Sequence, residues 1–160
     1  MSDAIDKAAG LAPDDALYQT RRLRPEFVEG AAQCHASVLT PEADQGLSTA
    51  VRLALAQRMA QLNRDAALVQ DYQTQLAAYQ PSAALLALAA GETVADEPLA
   101  TLARHADWVT LNPALATEQH IRLLEQAGFS HPQIVALSEL VAFVNFQTRV
   151  TAGLRLLRSA

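Results

Sequence analysis

Residues 47 to 79 read LSTAVRLALAQRMAQLNRDAALVQDYQTQLAAY, and this stretch decides the fold. From Leu47 on, the apolar residues Val51, Ala54, Leu55, Met59 and Leu62 recur at steps of three and four, which places them on one face of a helix. Asn63 and Arg64 break the pattern. Asp65 then opens a second helix whose inner face is Leu68, Val69, Tyr72 and Leu76, and Gln80-Pro81 ends it.

Helical signals continue on both sides. Upstream, Asp3 to Leu11 and Asp14 to Leu23 are short helical pieces, the second stopped before Pro25. Pro25 to Leu39 carries Phe27, Ala31, Cys34 and Val38 as an apolar stripe, with His35 one position round from it, and Thr40-Pro41 marks a turn or a helix start. Downstream, Ser82 to Ala90 is closed by Gly91, and Asp96-Glu97-Pro98 starts a helix with Leu99, Leu102, Ala103 and Ala106. Thr117 caps a helix that Gly128 ends in a left-handed conformation. Ser130 and Gln133 have capping-box spacing and open the longest helix, Pro132 to Leu157. Its run Leu140 to Phe146 is apolar almost all round, so it needs cover from the domain or from a partner subunit.

With 51% hydrophobic and 5% aromatic residues in 160, and no alternating β-branched run, the chain predicts an all-α single domain spanning 1–160. Residues 1–40 form a less specific N-terminal helical extension. A formal charge of −5 argues against nucleic-acid binding, which needs a clustered basic face. The basic cluster Arg21, Arg22 and Arg24 lies among acidic residues and reads as solvated or as the edge of an interface. No apolar run reaches the ~18 residues that span a bilayer, and MSDAIDK lacks the features of a secretory leader. A cytoplasmic protein without membrane association is expected. One cysteine, Cys34, allows no intrachain disulfide.

The two central helices resemble the core of the AhpD-like (alkylhydroperoxidase D / carboxymuconolactone decarboxylase) family. The thiol branch of that family has Glu-x11-Cys-x2-Cys-x3-His on two successive helices. In the register set by the flanking Leu, Arg, Ala and Asn positions, Leu53 stands at the Glu, Asp65 and Leu68 at the two Cys, and Tyr72 at the His. The C-terminal part is similar to peroxidase-related members in Leu124, Ala127 to Ser130, Ile134, Phe143, Asn145, Phe146 and Arg149, so the resemblance covers about residues 45 to 157. It implies an AhpD-like helical bundle, and subunits that pair through helices into a homo-oligomer.

The resemblance also implies which chemistry is missing. A Cys pair at i and i+3 in the first turn of a helix puts two sulfurs on one face, where the helix dipole favours a thiolate and a His relays protons. Peroxide oxidises one sulfur and the other resolves it as a disulfide. Asp65 and Leu68 do neither, and a phenol with a pKa of about 10 is no base at neutral pH. The decarboxylase branch dispenses with the Cys pair but keeps the His where this chain has Tyr72.

Three functions are in competition. The first is a non-peroxidase homologue with a structural or small-molecule-binding role. An enzyme of the same fold with lyase or hydrolase-like chemistry would use Asp65 as base and Tyr72 as proton donor; otherwise Asp65 is a helix cap. An alkylhydroperoxidase follows from the family name alone. Asn145 and Arg149, at i and i+4, tie the last helix to a neighbour, or Arg149 meets a ligand carboxylate. Cys34 reads as packing rather than as a redox group. No cofactor is implied, and His105, His120 and His131 lack metal-ligand spacing. Trp108 reads as core or interface.

Overall fold

The computed structural model describes residues 3–160, and among these there are helices and no strand. In chain order the helices are α1 (Ala4–Ala9), α2 (Ala16–Arg21), α3 (Pro25–Leu39), α4 (Thr49–Leu62), α5 (Ala66–Ala77), α6 (Ala83–Ala89), α7 (Glu97–Leu111), α8 (Glu118–Gln126) and α9 (His131–Ser159). A 3-10 turn, Pro113–Leu115, separates α7 from α8. The predicted all-α fold is therefore present.

α4 is the hub, packing on α5, α6, α7 and α9. Leu53, Leu55 and Met59 of α4 are fully buried in one core with Leu68 and Leu76 of α5 and Leu137, Leu140 and Val144 of α9. Apolar burial on this scale is the main force holding the bundle. The break between α4 and α5 is a tight reversal: Arg64 takes a left-handed conformation (φ 58°) and the Asp65 N–H donates back to the Ala60 carbonyl at 3.0 Å. At the other end of α4, buried Arg52 donates to the carbonyls of Leu47 (2.7 Å), Val38 (2.9 Å) and Asp44 (2.7 Å). Hydrogen bonds from a charged donor contribute about 1.5–3 kcal/mol each, so this one side chain fixes the loop between α3 and α4. Thr40-Pro41 lies in that loop and starts no helix.

The local signals for helix ends have the expected partners. Ser130 and Gln133 form a capping box on α9, Asp65 and Asp96 accept the Leu68 and Leu99 N–H groups, and Gly128 has φ 93°. α2 is shorter than the expected Asp14 to Leu23, ending at Arg21.

Two expectations need correction. Arg21 and Arg22 are not a solvated cluster. Arg21 pairs with Asp3 at 3.1 Å and with Asp6, and Arg22 pairs with Asp6 at 2.5 Å; the Asp6 side chain is fully buried between them. Only Arg24, paired with Glu26, stays in solvent. Sequence order hid this, because the partner carboxylates lie on α1. On α3, Phe27 and Cys34 face outward, while Ala31 and Val38 are buried as expected. Resting mainly on α9, α3 buries a narrow stripe, and the exposed Phe27 is left with only the Arg24 guanidinium over its ring, 4.3 Å from the centroid. Of the two sources of cover expected for Leu140 to Phe146, the domain supplies most: Leu140, Val141, Phe143 and Val144 are buried, leaving Ala142 and Phe146 exposed.

Residues 3–40 also form part of the core. Ile5, Ala9, Leu11, Tyr18 and Ala31 pack on Leu154 near the end of α9 in a second apolar cluster. This layer roofs one side of α9 and α5, and a cleft opens beneath it.

Candidate functional site

The four positions singled out on α4 and α5 are closed to solvent: Leu53, Leu68 and Tyr72 are fully buried and Asp65 nearly so. Asp65 has no free oxygen. Its Oδ1 caps α5 by accepting the Leu68 N–H at 3.1 Å, and both oxygens accept from the Arg155 guanidinium, at 2.8 and 3.0 Å. Arg155 also donates to the Ala8 carbonyl at 2.7 and 3.2 Å, so one ion pair links α5, α9 and α1. Charge-assisted, bidentate hydrogen bonds of this kind fix the carboxylate in place.

Tyr72 points away from this pair, into the bundle, where its hydroxyl donates to Oε1 of Gln147 on α9. Burial, with the nearby charges of Asp71 and Asp65, pushes its pKa above the ordinary phenol value, so it remains protonated. Tyr72 orients Gln147. The Gln147 side chain is fully buried, and its Nε2 has no hydrogen-bond partner among the described residues. Turning the amide over would only exchange the two atoms: one meets Tyr72 and the other is left unsatisfied.

Gln147 lies at the floor of a cleft of about 830 Å³ bounded by α1, α3, α5 and α9. Ile5, Val28, Ala31 and Phe143 supply its apolar wall, and the exposed Lys7 and Glu29 stand at its rim. His35 borders the same cleft. Its Nε2 is buried and also without a partner among the described residues, and its ring meets Phe143 edge to face, with centroids 5.8 Å apart. Burial lowers the His35 pKa below 6.5 and outweighs the pull of Asp71 and Asp3 toward the charged form. A neutral imidazole results at neutral pH. Asp71, also on the cleft wall, is held by the Gln75 amide at 2.8 Å.

Gln147 and His35, each with a buried nitrogen that finds no partner among the described residues, border one largely apolar cleft, and such groups are the usual equipment of a small-molecule site, since buried polar groups are otherwise paired. Gln147 was not picked out from the sequence, and His35 was considered there only as a neighbour of Cys34. The available signals were a polar residue, Gln147, directly after the apolar run of α9 and one turn after Phe143, and an off-stripe histidine on α3.

Other candidates lie elsewhere. Arg149 is two residues from Gln147, about 200° round the helix, and borders a different cleft between α7, α8 and α9. Asn145 ties α9 to its neighbours as expected, accepting from Asn63 at 3.1 Å and donating to Thr110 at 3.2 Å. Arg149 does not share in this network. Cys34 is exposed in a groove with Phe27 and Phe146, correcting its assignment to packing. Trp108 is partly exposed and stacks on His120 with centroids 5.1 Å apart, and His131 pairs with Glu125 at 2.9 Å. Among the described residues no cluster of three or more His, Cys, Asp or Glu side chains is placed to hold a metal, and no helix is long and apolar enough to cross a membrane.

No family model matches the sequence, and no curated protein matches it.

Proposed function

We propose that the protein is a redox-inert relative of the AhpD-like proteins that binds a small molecule in the cleft between α1, α3, α5 and α9. The observation that carries this reading is Gln147, fully buried, held at one amide atom by Tyr72 and unsatisfied at the other on the cleft floor. A ligand with an apolar body and a carbonyl or similar acceptor satisfies both the cleft wall and the free amide N–H groups. Peroxidase chemistry lacks its dithiol, since the chain has one cysteine and it lies exposed on α3. The enzymatic alternative built on Asp65 and Tyr72 requires Asp65 to leave Arg155 and Tyr72 to lose a proton that its burial retains.

Two further features belong to the same proposal. The protein acts in the cytoplasm, and it pairs with a second copy through the exposed apolar residues Phe27, Ala142 and Phe146 of α3 and α9. Both rest on the resemblance and the surface pattern.

A thermal-shift panel of small esters, lactones, ketones and carboxylic acids tests the binding reading. A ligand at 100 times its Kd stabilises by about 2.7 kcal/mol, several degrees of Tm for a domain of this size. At least one compound should raise the Tm of the wild type clearly more than that of Gln147→Met. Equal shifts in both proteins, or none in either, would contradict the proposal.

A further inference from the structure

The cleft between α7, α8 and α9 has a volume of about 610 Å³ and different chemistry. Most polar groups on its walls are already satisfied. Asn145 bonds to Asn63, Thr110 and the Val141 carbonyl, Ser138 donates to the Ile134 carbonyl at 2.9 Å, and Glu118 accepts from Arg122 at 3.0 Å. His120 accepts the Thr117 N–H at 3.0 Å.

Two groups differ. The Arg149 guanidinium is exposed at the cleft and makes no hydrogen bond or ion pair with any described residue. His105 is 8% exposed, borders the cleft, and has a buried Nδ1 without a partner. Burial and the neighbouring His120 hold its pKa below 6.5, which leaves it neutral at neutral pH. The same cleft has apolar wall residues in Val109, Ile121 and Val141.

We infer that this second cleft binds a small monocarboxylate with an apolar body, its carboxylate on the Arg149 fork and its body against Val109, Ile121 and Val141. Guanidinium matches a carboxylate with two parallel hydrogen bonds, which a bare apolar cleft or a lone neutral histidine does not. Glu118, the one carboxylate on the wall, is already held by Arg122 and does not neutralise Arg149. The site is independent of the Gln147 cleft, from which it is separated by the body of α9.

The chain supplies its own reporter, because its single tryptophan, Trp108, stacks on His120 at the cleft wall. Benzoate and isovalerate titrated into the full-length protein should give saturable changes in Trp108 fluorescence, confirmed by calorimetry. Arg149→Met, a surface substitution that leaves the core intact, should weaken binding about tenfold or more, and uncharged benzamide should bind the wild type weaker than benzoate by a similar factor. Gln147→Met should bind benzoate like the wild type. The inference is overturned if neither acid saturates below about 10 mM, if Arg149→Met keeps wild-type affinity, or if inorganic phosphate competes as well as benzoate.

Discussion

Replacing Tyr72 by Phe removes the only hydrogen bond of the Gln147 amide, and replacing Gln147 by Met leaves the Tyr72 hydroxyl unpaired in a fully buried site. A buried polar group left without a partner costs about 1–3 kcal/mol, so each single variant should lose that much in urea denaturation. The double variant should recover most of the loss, since it removes both partners. Additive losses would mean that the two side chains do not interact. Asp65 behaves differently from the helix cap that its position alone suggests. As a cap, Asp65→Asn costs little, because Asn caps equally well. The Arg155 pair changes this: Asn keeps the Leu68 bond but loses the charge that holds a guanidinium from α9. Arg155 is more than a third exposed, which screens the pair, so denaturation should show a loss of about 1–2 kcal/mol rather than the 3–5 of a fully buried pair. The cap was legible in the sequence because it involves residues three apart. Arg155 was not, because a contact across 90 positions leaves no local pattern.

At the scale of elements, caps and stops were the readable part. Ser130, Asp96, Asp65 and Gly128 act through neighbours within one turn, which is why they could be placed before the structure was known. Which face of α3 turns inward was not readable, because its apolar and small residues define two overlapping stripes and only packing on α9 chooses between them. That choice puts His35 at the cleft and Cys34 in solvent. It also gives the layer formed by α1, α2 and α3 a definite response to pH. His35 has a folded pKa below 6.5, so the unfolded chain binds the proton more readily; its contribution is present above pH 6.5 and is lost as pH falls through the folded value. Asp6 titrates lower. Burial raises its pKa, but the Arg22 and Arg21 hydrogen bonds and the Asp3 contact reverse this to a net lowering, so its contribution is present above about pH 3.8 and disappears below that. Thermal melts should therefore show Tm falling between pH 7.5 and 5.5, and the fall should be shallower in His35→Phe. An identical slope in the variant would remove His35 from the account.

For the whole molecule, composition and periodicity were enough to specify a helical single chain, and the resemblance over residues 45 to 157 directed attention to α4 and α5. They could not show that this centre is sealed. The interior side chains of Leu53, Leu68 and Tyr72 fill it, and the open space lies one hydrogen bond further on, where Tyr72 hands its contact to Gln147. There a buried phenol fixes an amide, and a neutral imidazole borders the same apolar cleft. The central claim is that this arrangement binds a ligand, and the most direct measurement is the Kd, by calorimetry, of the best compound from the thermal-shift panel for the wild type, Tyr72→Phe and Gln147→Met. Affinity should fall about tenfold or more in Gln147→Met and by a smaller factor in Tyr72→Phe, where the amide is present but no longer held in place. The same Kd in all three proteins would contradict the account.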